Sequence, residues 1–499
     1  MPIQFIKPKI QNKLLLALSI LSYSTFAYQL PEIGSSANTS LSYKTERLLG
    51  EYIYLDAQRD LPLVTNSLLE DYVQNLGTKL LNNSNKHYDN FQFFVVDSRD
   101  INAVSLPGGF IGINLGLINF ADNESELAAV MAHEITHVNQ RHIARSFEQN
   151  SQMQLPTMAG VIAGALLSAY SPEAGQSVMA GSMAASSQAM INYTRGYESE
   201  ADRIGMTILT KSGYDPYSMG RFFNKLNRYS YSDSDNIPVY LRTHPVTTDR
   251  AHEANTRADE IAINKNTKKS LQVSTNPINN SDNFNFLLVK NLFNNSSIND
   301  LKSSLGELSN LNNTQIQQDV INFTIANKLI KNNDFTAANI ILEKLHNKYN
   351  NNPIIASLYI TSFNKQHDKA LAILDQELKA NPNNIPLSMQ YAELALMNNK
   401  PQAALDVLKK MSKNNSFVPS RVTLLTAESY NKLNQKWQAN LAFAEYSTLK
   451  GDYPAAIMQL KATAKFDKLT TYQSKILDYR IKELEAKYKE RDEQVKSLI

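Results

Sequence analysis

The 499-residue sequence contains no cysteine. Disulfides, cysteine-ligated metal, iron–sulfur clusters, cysteine nucleophiles and a lipid anchor on a processed N-terminal cysteine are all excluded. The redox compartment stays open, because a chain without thiols suits either kind. A long basic run is also missing, and 50 Lys+Arg against 47 Asp+Glu leave a net charge of only +3. That argues against a nucleic-acid binder held by a concentrated positive field. No apolar stretch convincingly reaches the ~20 residues that a membrane-spanning helix needs. What is present suffices for packed domains. The hydrophobic content of 42% supports sizeable cores, and roughly 100–200 residues per domain suggests two to four of them. Asparagine is abundant throughout and reads as a compositional bias.

Residues 1–27 carry Lys7, Lys9 and Lys13, then an apolar stretch from Leu14 to Leu21, then "SYSTFA". Thr25 and Ala27 occupy the −3 and −1 positions of a cut before Tyr28, the three-part plan of a secretory signal peptide. An exported protein cleaved after Ala27 is expected. Loss of those three lysines leaves 47 basic residues against 47 acidic ones, a nearly neutral mature chain. Met158–Met190 is rich in Gly, Ala and Ser but is interrupted by Pro172, Glu173 and Gln176. Each arm is too short to span a bilayer, and the basic face of an interfacial helix is lacking. Close helix packing or a flap is expected there.

From Tyr28 to about Ile263 the pattern is mixed. "FQFFVVD" (Phe91–Asp97) reads as a strand, and "GGFIGINLGLINF" as a second one opened by a turn at Gly108–Gly109. Helices are indicated around 43–57, 65–83, 124–150, 196–212 and 217–229. Asn123 followed by Glu126 signals a capping box at the start of the third. Residues 264–283 are polar and read as a linker. Residues 284–499 read as helix–turn–helix units turning near Asn332, Gln366, Asn398 and Asn434, close to the 34-residue tetratricopeptide period. Pro353, Pro382 and Pro419 fall between units, and stripes such as Ala370-Leu371-Ala372 suit closely packed helix pairs.

"AAVMAHEITHVNQRH" contains His133-Glu134-Ile135-Thr136-His137, an HExxH motif. On a helix, positions i and i+4 share a face, so both imidazoles can reach one Zn²⁺. Glu134, one residue round the turn, can reach water held by that ion as a general base. A metzincin continuation is absent, since position 140 is Gln where Gly is needed and His142 comes one residue too early. The third ligand must come from elsewhere. Downstream, "YESEADRIG" places Glu198, Ala201 and Asp202 in an ExxAD pattern on a helix. Glu198 can complete a His₂Glu set, and Asp202 one turn on can accept a ligand N–H. Glu200 reads as a charge on the solvated face, and His142 as a residue behind the ligands or exposed. His87, His252, His346 and His367 fit no ligand spacing and read as surface residues, and Trp437 as a packing residue.

In these residues the sequence resembles the zinc peptidases of the HtpX, OMA and CAAX prenyl protease group. Three stretches carry the resemblance: "NAVSLPGG" (Asn102–Gly109), "DNESELAAVMAHEITHVNQRH" and "THPVTTDR" (Thr243–Arg250). A signal peptide, this catalytic region and a repeat region together are similar to the periplasmic β-barrel assembly-enhancing proteases, as is the start "LPEIGSSANTSLS". The fold class implied is α+β, mostly α: a zincin-type catalytic domain with a small sheet (28–263), then an α-helical tetratricopeptide solenoid (284–499). The resemblance implies one Zn²⁺ per chain on His133, His137 and Glu198, with Glu134 as base. It implies that His244 closes over the zinc as a latch; a transition-state donor, or simply a residue of the cleft, is the alternative. Arg250 would pair with Glu198 or Asp202, and the strand at about 110–118 would be the edge that an extended substrate joins. The implied partners are unfolded or misassembled outer-membrane β-barrel proteins and the β-barrel assembly machinery, with peripheral membrane contact through Met158–Met190 and no nucleic acid. An endopeptidase is expected; a mostly latent enzyme acting as chaperone, or a general periplasmic housekeeping protease, are the alternatives.

Overall fold

The computed structural model describes residues 41–85, 88, 90–149, 187–232, 238–266, 281–309, 311, 314–415, 417–465 and 469–498. The expected signal peptide with its cut after Ala27, most of Met158–Met190, His87 and residues 267–280 of the expected linker lie outside the described residues.

Helices α1 (Tyr43–Asp60) and α2 (Ser67–Leu81) precede three strands, β1 (Gln92–Val96), β2 (Ala103–Leu106) and β3 (Phe110–Asn114). The short α3 (Leu115–Phe120) follows, where the sequence suggests a continuing strand. The sheet order is β1-β3-β2, with β1 parallel and β2 antiparallel to β3. Gly108 and Gly109 turn the β2–β3 hairpin at φ of 73° and 97°, a region open to glycine at no steric cost. β3 is therefore the central strand. The expectation that it forms the substrate-accepting edge is corrected, because both its sides are already paired. The outer side of β1 is filled as well. Val64 N–H donates to Val95 O and Asp97 N–H to Pro62 O, while the Gln74 amide bonds Phe91 O and Phe93 N. Among the described residues, the side of β2 away from β3 has no strand partner. Asn114 N–H donates to Asn102 O, so by alternation Ile101, Ala103 and Ser105 turn their backbone groups away from β3.

The helix expected over 124–150 is two helices, α4 (Glu124–Asn139) and α5 (His142–Gln149). Asn123 Oδ1 accepts the Glu126 N–H at 3.1 Å, as a helix N-cap does. Glu126 reaches back to the N–H of Asp122 rather than that of Asn123. The break comes at Arg141, with φ of 54°. A left-handed arginine costs about 1–2 kcal/mol, and here a buried ion pair with Glu46 on α1 (2.9 Å) holds it. Helices α6 (Ser187–Lys211), α7 (Tyr217–Ser232), α8 (Val239–Thr243) and α9 (Thr248–Asn266) complete the region. Residues 264–266 of the expected linker thus belong to α9.

The rest of the chain is helical: α10 (Ser281–Asn291), α11 (Ile298–Ser309), α12 (Gln315–Lys331), α13 (Phe335–Lys348), α14 (Pro353–Thr361), α15 (His367–Ala380), α16 (Ile385–Met397), α17 (Pro401–Asn414), α18 (Ser420–Lys432), α19 (Lys436–Leu449), α20 (Tyr453–Thr463) and α21 (Thr471–Leu498). Asn333, Asn364, Asn399 and Asn434 turn successive helix pairs at φ between 48° and 62°. Asparagine tolerates that region better than most residues, so at these four positions it serves the fold rather than reflecting bias. The catalytic region and the first repeats share one apolar core, in which Leu127 and Met131 of α4 join Phe286 and Phe323. The far end of the arm curls back, with Lys450 Nζ on Gln58 Oε1 (3.0 Å) and Lys44 paired with Glu490. A cleft of about 1430 Å³ lies between α1, α2 and β1 on one side and the inner faces of the repeats on the other. No helix among the described residues is long and apolar enough to cross a membrane.

Candidate metal centre

Four side chains converge where α4 crosses α6. His133 and His137 come from α4, Glu198 from α6 and His244 from the turn after α8. One potential ligand atom from each lies within 4.8 Å of all the others. His133 Nε2 and His137 Nε2 are 3.0 Å apart, and each is 3.3 Å from an oxygen of Glu198. His244 Nδ1 is 3.0 Å from Glu198 Oε1 and 3.4 Å from His133 Nε2. The close crossing depends on small residues of α6. A Cβ on Gly205 would sit only 3.2 Å from His133 N, and Ala201 is fully buried.

Glu134 is fully buried beside this cluster, and among the described residues neither of its oxygens has a hydrogen-bond partner. Its nearest basic group is His244 Nε2, at 3.5 Å too distant for a good hydrogen bond. A buried carboxylate without partners costs free energy unless something else is held there. Two imidazoles, a carboxylate and such a group are the donor set and base that a catalytic metal site requires. The residues fit a metal.

Around them, Arg250 on α9 forks onto Asp202, Nε to Oδ2 at 2.7 Å and Nη2 to Oδ1 at 2.9 Å. Its Nη1 lies 2.9 Å from Glu198 Oε2 and donates to Pro245 O at 2.8 Å. Arg250 thus touches both carboxylates, where the sequence left the choice open. Asp202 Oδ1 is 3.0 Å from His133 Nδ1. Burial alone would lower the His133 pKa, but Glu198 and Asp202 outweigh it and push the imidazole up to about 10. Burial lowers the His137 pKa. Burial would raise Glu198, yet His244 and His133 hold its carboxyl well below the usual range.

One position departs from expectation, and His142 takes the place behind the ligands rather than the exposed one. Glu200 is not a solvated-face charge: its Oε2 accepts from Arg145 Nη1 at 2.8 Å and from His142 Nε2 at 3.2 Å. His142 is buried, with Nδ1 2.8 Å from His137 Nδ1. The hydrogen bond from His142, then that from Arg145, holds Glu200 down to about 2, while burial drives His142 down to about 3. Tyr240, which sequence reasoning missed, is fully buried and stacks on His244 at 4.8 Å. Its N–H donates to Ile101 O at 3.1 Å, on the free side of β2. Only its place four residues before His244, on the short helix that leads into it, could have marked it. Elsewhere, His252 is exposed, whereas His346 bonds Glu377 (2.8 Å) and His367 bonds Asn398 (3.0 Å). Trp437 packs in the apolar cluster of the last repeats.

Residues 67–258 match peptidase family M48, and residues 364–428 match a tetratricopeptide repeat. Fold and site thus define the class: a metalloendopeptidase carrying an arm of helical repeats. A beta-barrel assembly-enhancing protease of Escherichia coli K12 is 31% identical over 470 residues, 93% of this chain and 92% of that relative. The chain belongs to the family of beta-barrel assembly-enhancing proteases. One from Yersinia pestis is 39% identical over 232 residues, 46% of this chain and 48% of its own. A bovine mitochondrial metalloendopeptidase, OMA1, is 30% identical over 166 residues, 32% of this chain and 31% of its own.

Proposed function

We propose that this protein is a periplasmic zinc endopeptidase that cleaves stalled or misassembled outer-membrane β-barrel proteins and assists their assembly through its repeat arm. One observation carries the reading: four ligand atoms within 4.8 Å of one another, against a buried Glu134 whose oxygens have no hydrogen-bond partner among the described residues. His133, His137 and Glu198 would hold the Zn²⁺. When bound, the ion supplies Lewis-acid polarisation and acidifies water. Glu134 takes the proton of the attacking water and delivers it to the leaving amine, restoring its own carboxylate. Arg250 and Asp202 keep Glu198 and His133 in place.

The substrate would lie along the free side of β2. Ala103 and Ser105 present N–H and C=O groups there, and no backbone hydrogen bond from the described residues reaches them. Unfinished barrel strands expose unpaired edges of the same kind, so strand addition suits such clients. The cleft between β1 and the repeats offers a second, larger surface to a partly folded chain. Export by the leader cut after Ala27 would deliver the protein to that compartment.

The position of His244 favours a latent resting state. It lies 3.0 Å from Glu198, and the α8 backbone just before it occupies Ile101 O. A substrate strand that uses that carbonyl must displace the segment carrying His244. The test uses mature protein and casein. Cleavage by wild type, its loss in Glu134→Gln and faster cleavage by His244→Ala are expected. Equal cleavage by wild type and Glu134→Gln would refute the mechanism, and slower cleavage by His244→Ala would refute the latch. Preferential turnover of a stalled barrel protein over a soluble unfolded one is expected, and equal turnover would indicate general housekeeping instead.

A further inference from the structure

The two ligand histidines are supported from behind in different ways. His133 Nδ1 faces a carboxylate directly, Asp202 at 3.0 Å. His137 Nδ1 faces a second imidazole, His142 Nδ1 at 2.8 Å. Two bare ring nitrogens cannot bond each other, so one of them must carry the proton. Glu200 decides which.

At the far side of His142, Nε2 lies 3.2 Å from Glu200 Oε2. An ionised carboxylate only accepts, so His142 Nε2 carries the hydrogen and His142 Nδ1, in the neutral ring, is an acceptor. His137 must then donate through Nδ1, which leaves its Nε2 bare and directed at the cluster, the form a metal ligand needs. Arg145 Nη1 holds the same Glu200 oxygen at 2.8 Å. Tyr197 stacks on the His142 ring at 4.5 Å and 18°. The left-handed turn at Arg141, tied to Glu46, brings His142 back against His137.

We infer that His142 and Glu200 form a relay that sets the tautomer and orientation of His137. They are positioning residues, and neither touches substrate. Glu198 and Glu200, two residues apart on α6, then have separate tasks: one in the ligand cluster, the other fixing a ligand from behind through a borrowed imidazole. The inference rests on the metal site proposed above.

The test measures Zn²⁺ affinity of the full-length protein by competition with a chromophoric chelator, alongside thermal unfolding of each metal-free variant. His142→Phe retains a ring against Tyr197 but removes the acceptor, and His142→Gln restores one. Loss of an outer partner typically weakens metal binding about 10- to 100-fold. That loss is expected for His142→Phe, with partial recovery in His142→Gln. Glu200→Leu should weaken binding similarly, and the double variant His142→Phe/Glu200→Leu should bind no more weakly than His142→Phe alone. A purely structural role would lower the unfolding midpoint without changing the affinity of the folded protein. Wild-type affinity in His142→Phe, or fully additive losses in the double variant, would overturn the relay. Glu198→Ala is the control. If it loses zinc while His142→Phe does not, only the relay fails. If it too binds like wild type, the metal site fails and the relay with it.

Discussion

The catalytic region and the repeat arm are both largely helical, yet they bury different things. Around α4 and α6 the interior holds His133, Glu134, His142, Glu198, Asp202, His244 and Arg250. The arm buries Leu342, Leu374, Leu408, Met411 and Leu460 with rows of alanine, and its few buried acidic groups are tied to a neighbouring base, as Glu377 is to His346. Burying charge is costly unless each group is paired. The catalytic region bears most of that cost around the ligand cluster, with further buried acids paired away from it, Glu46 with Arg141 and Glu126 with Lys225. The arm, free of that demand, is an ordinary stack of apolar pairs.

Changes in the two regions should therefore separate activity from stability. The largest effect is expected for Glu134→Gln, which should slow peptide cleavage about 10²- to 10⁴-fold, the usual contribution of a general base. Its metal-free form should unfold no earlier than wild type, because the carboxylate it removes is fully buried and unpartnered. Rate assays and thermal unfolding read the two. Leu408→Ala should do the reverse. Leu408 is fully buried in a repeat cluster, so the change should cost about 2–5 kcal/mol in denaturant unfolding and leave casein cleavage by the folded protein unaltered.

Two smaller effects concern the seams between the regions. Asp71 on α2 lines a small pocket with Asn285 and Asn384 of the repeat region, and burial pushes its pKa up to about 6. The unfolded chain loses that proton near pH ~3.9, so between these values the folded state binds more protons. Stability should therefore fall as pH rises from about 4 to about 6, on the order of 2 kcal/mol. Asp71→Asn should flatten this part of the unfolding profile. At the other seam, Gly451 sits at φ 73° against Leu55 of α1. Gly451→Ala should cost about 1–2 kcal/mol from its backbone alone, and raise protease sensitivity at the end of the arm.

Much of the site is legible in the sequence because its signals are local. His133, Glu134 and His137 share one helical face, and Glu198 and Asp202 are spaced one turn apart. The repeats announce themselves by period. What escapes is fixed by partners distant in the chain. The helix break at Arg141 depends on Glu46, 95 residues earlier, and the role of Glu200 depends on His142, 58 residues away. The strand β2 lies within the "NAVSLPGG" stretch, whose short alternation gives no strand signal, and its pairing makes β3 the central strand. The turn asparagines read as composition in the sequence, yet five of them, Asn333, Asn351, Asn364, Asn399 and Asn434, sit in the left-handed region.

The central claim is that Glu198 joins His133 and His137 in holding one zinc ion. Metal analysis of purified full-length protein, wild type against Glu198→Ala and Glu134→Gln, tests it most directly. One zinc per chain in wild type and Glu134→Gln, with loss in Glu198→Ala, is the predicted result. Zinc retained at wild-type affinity in Glu198→Ala would contradict it.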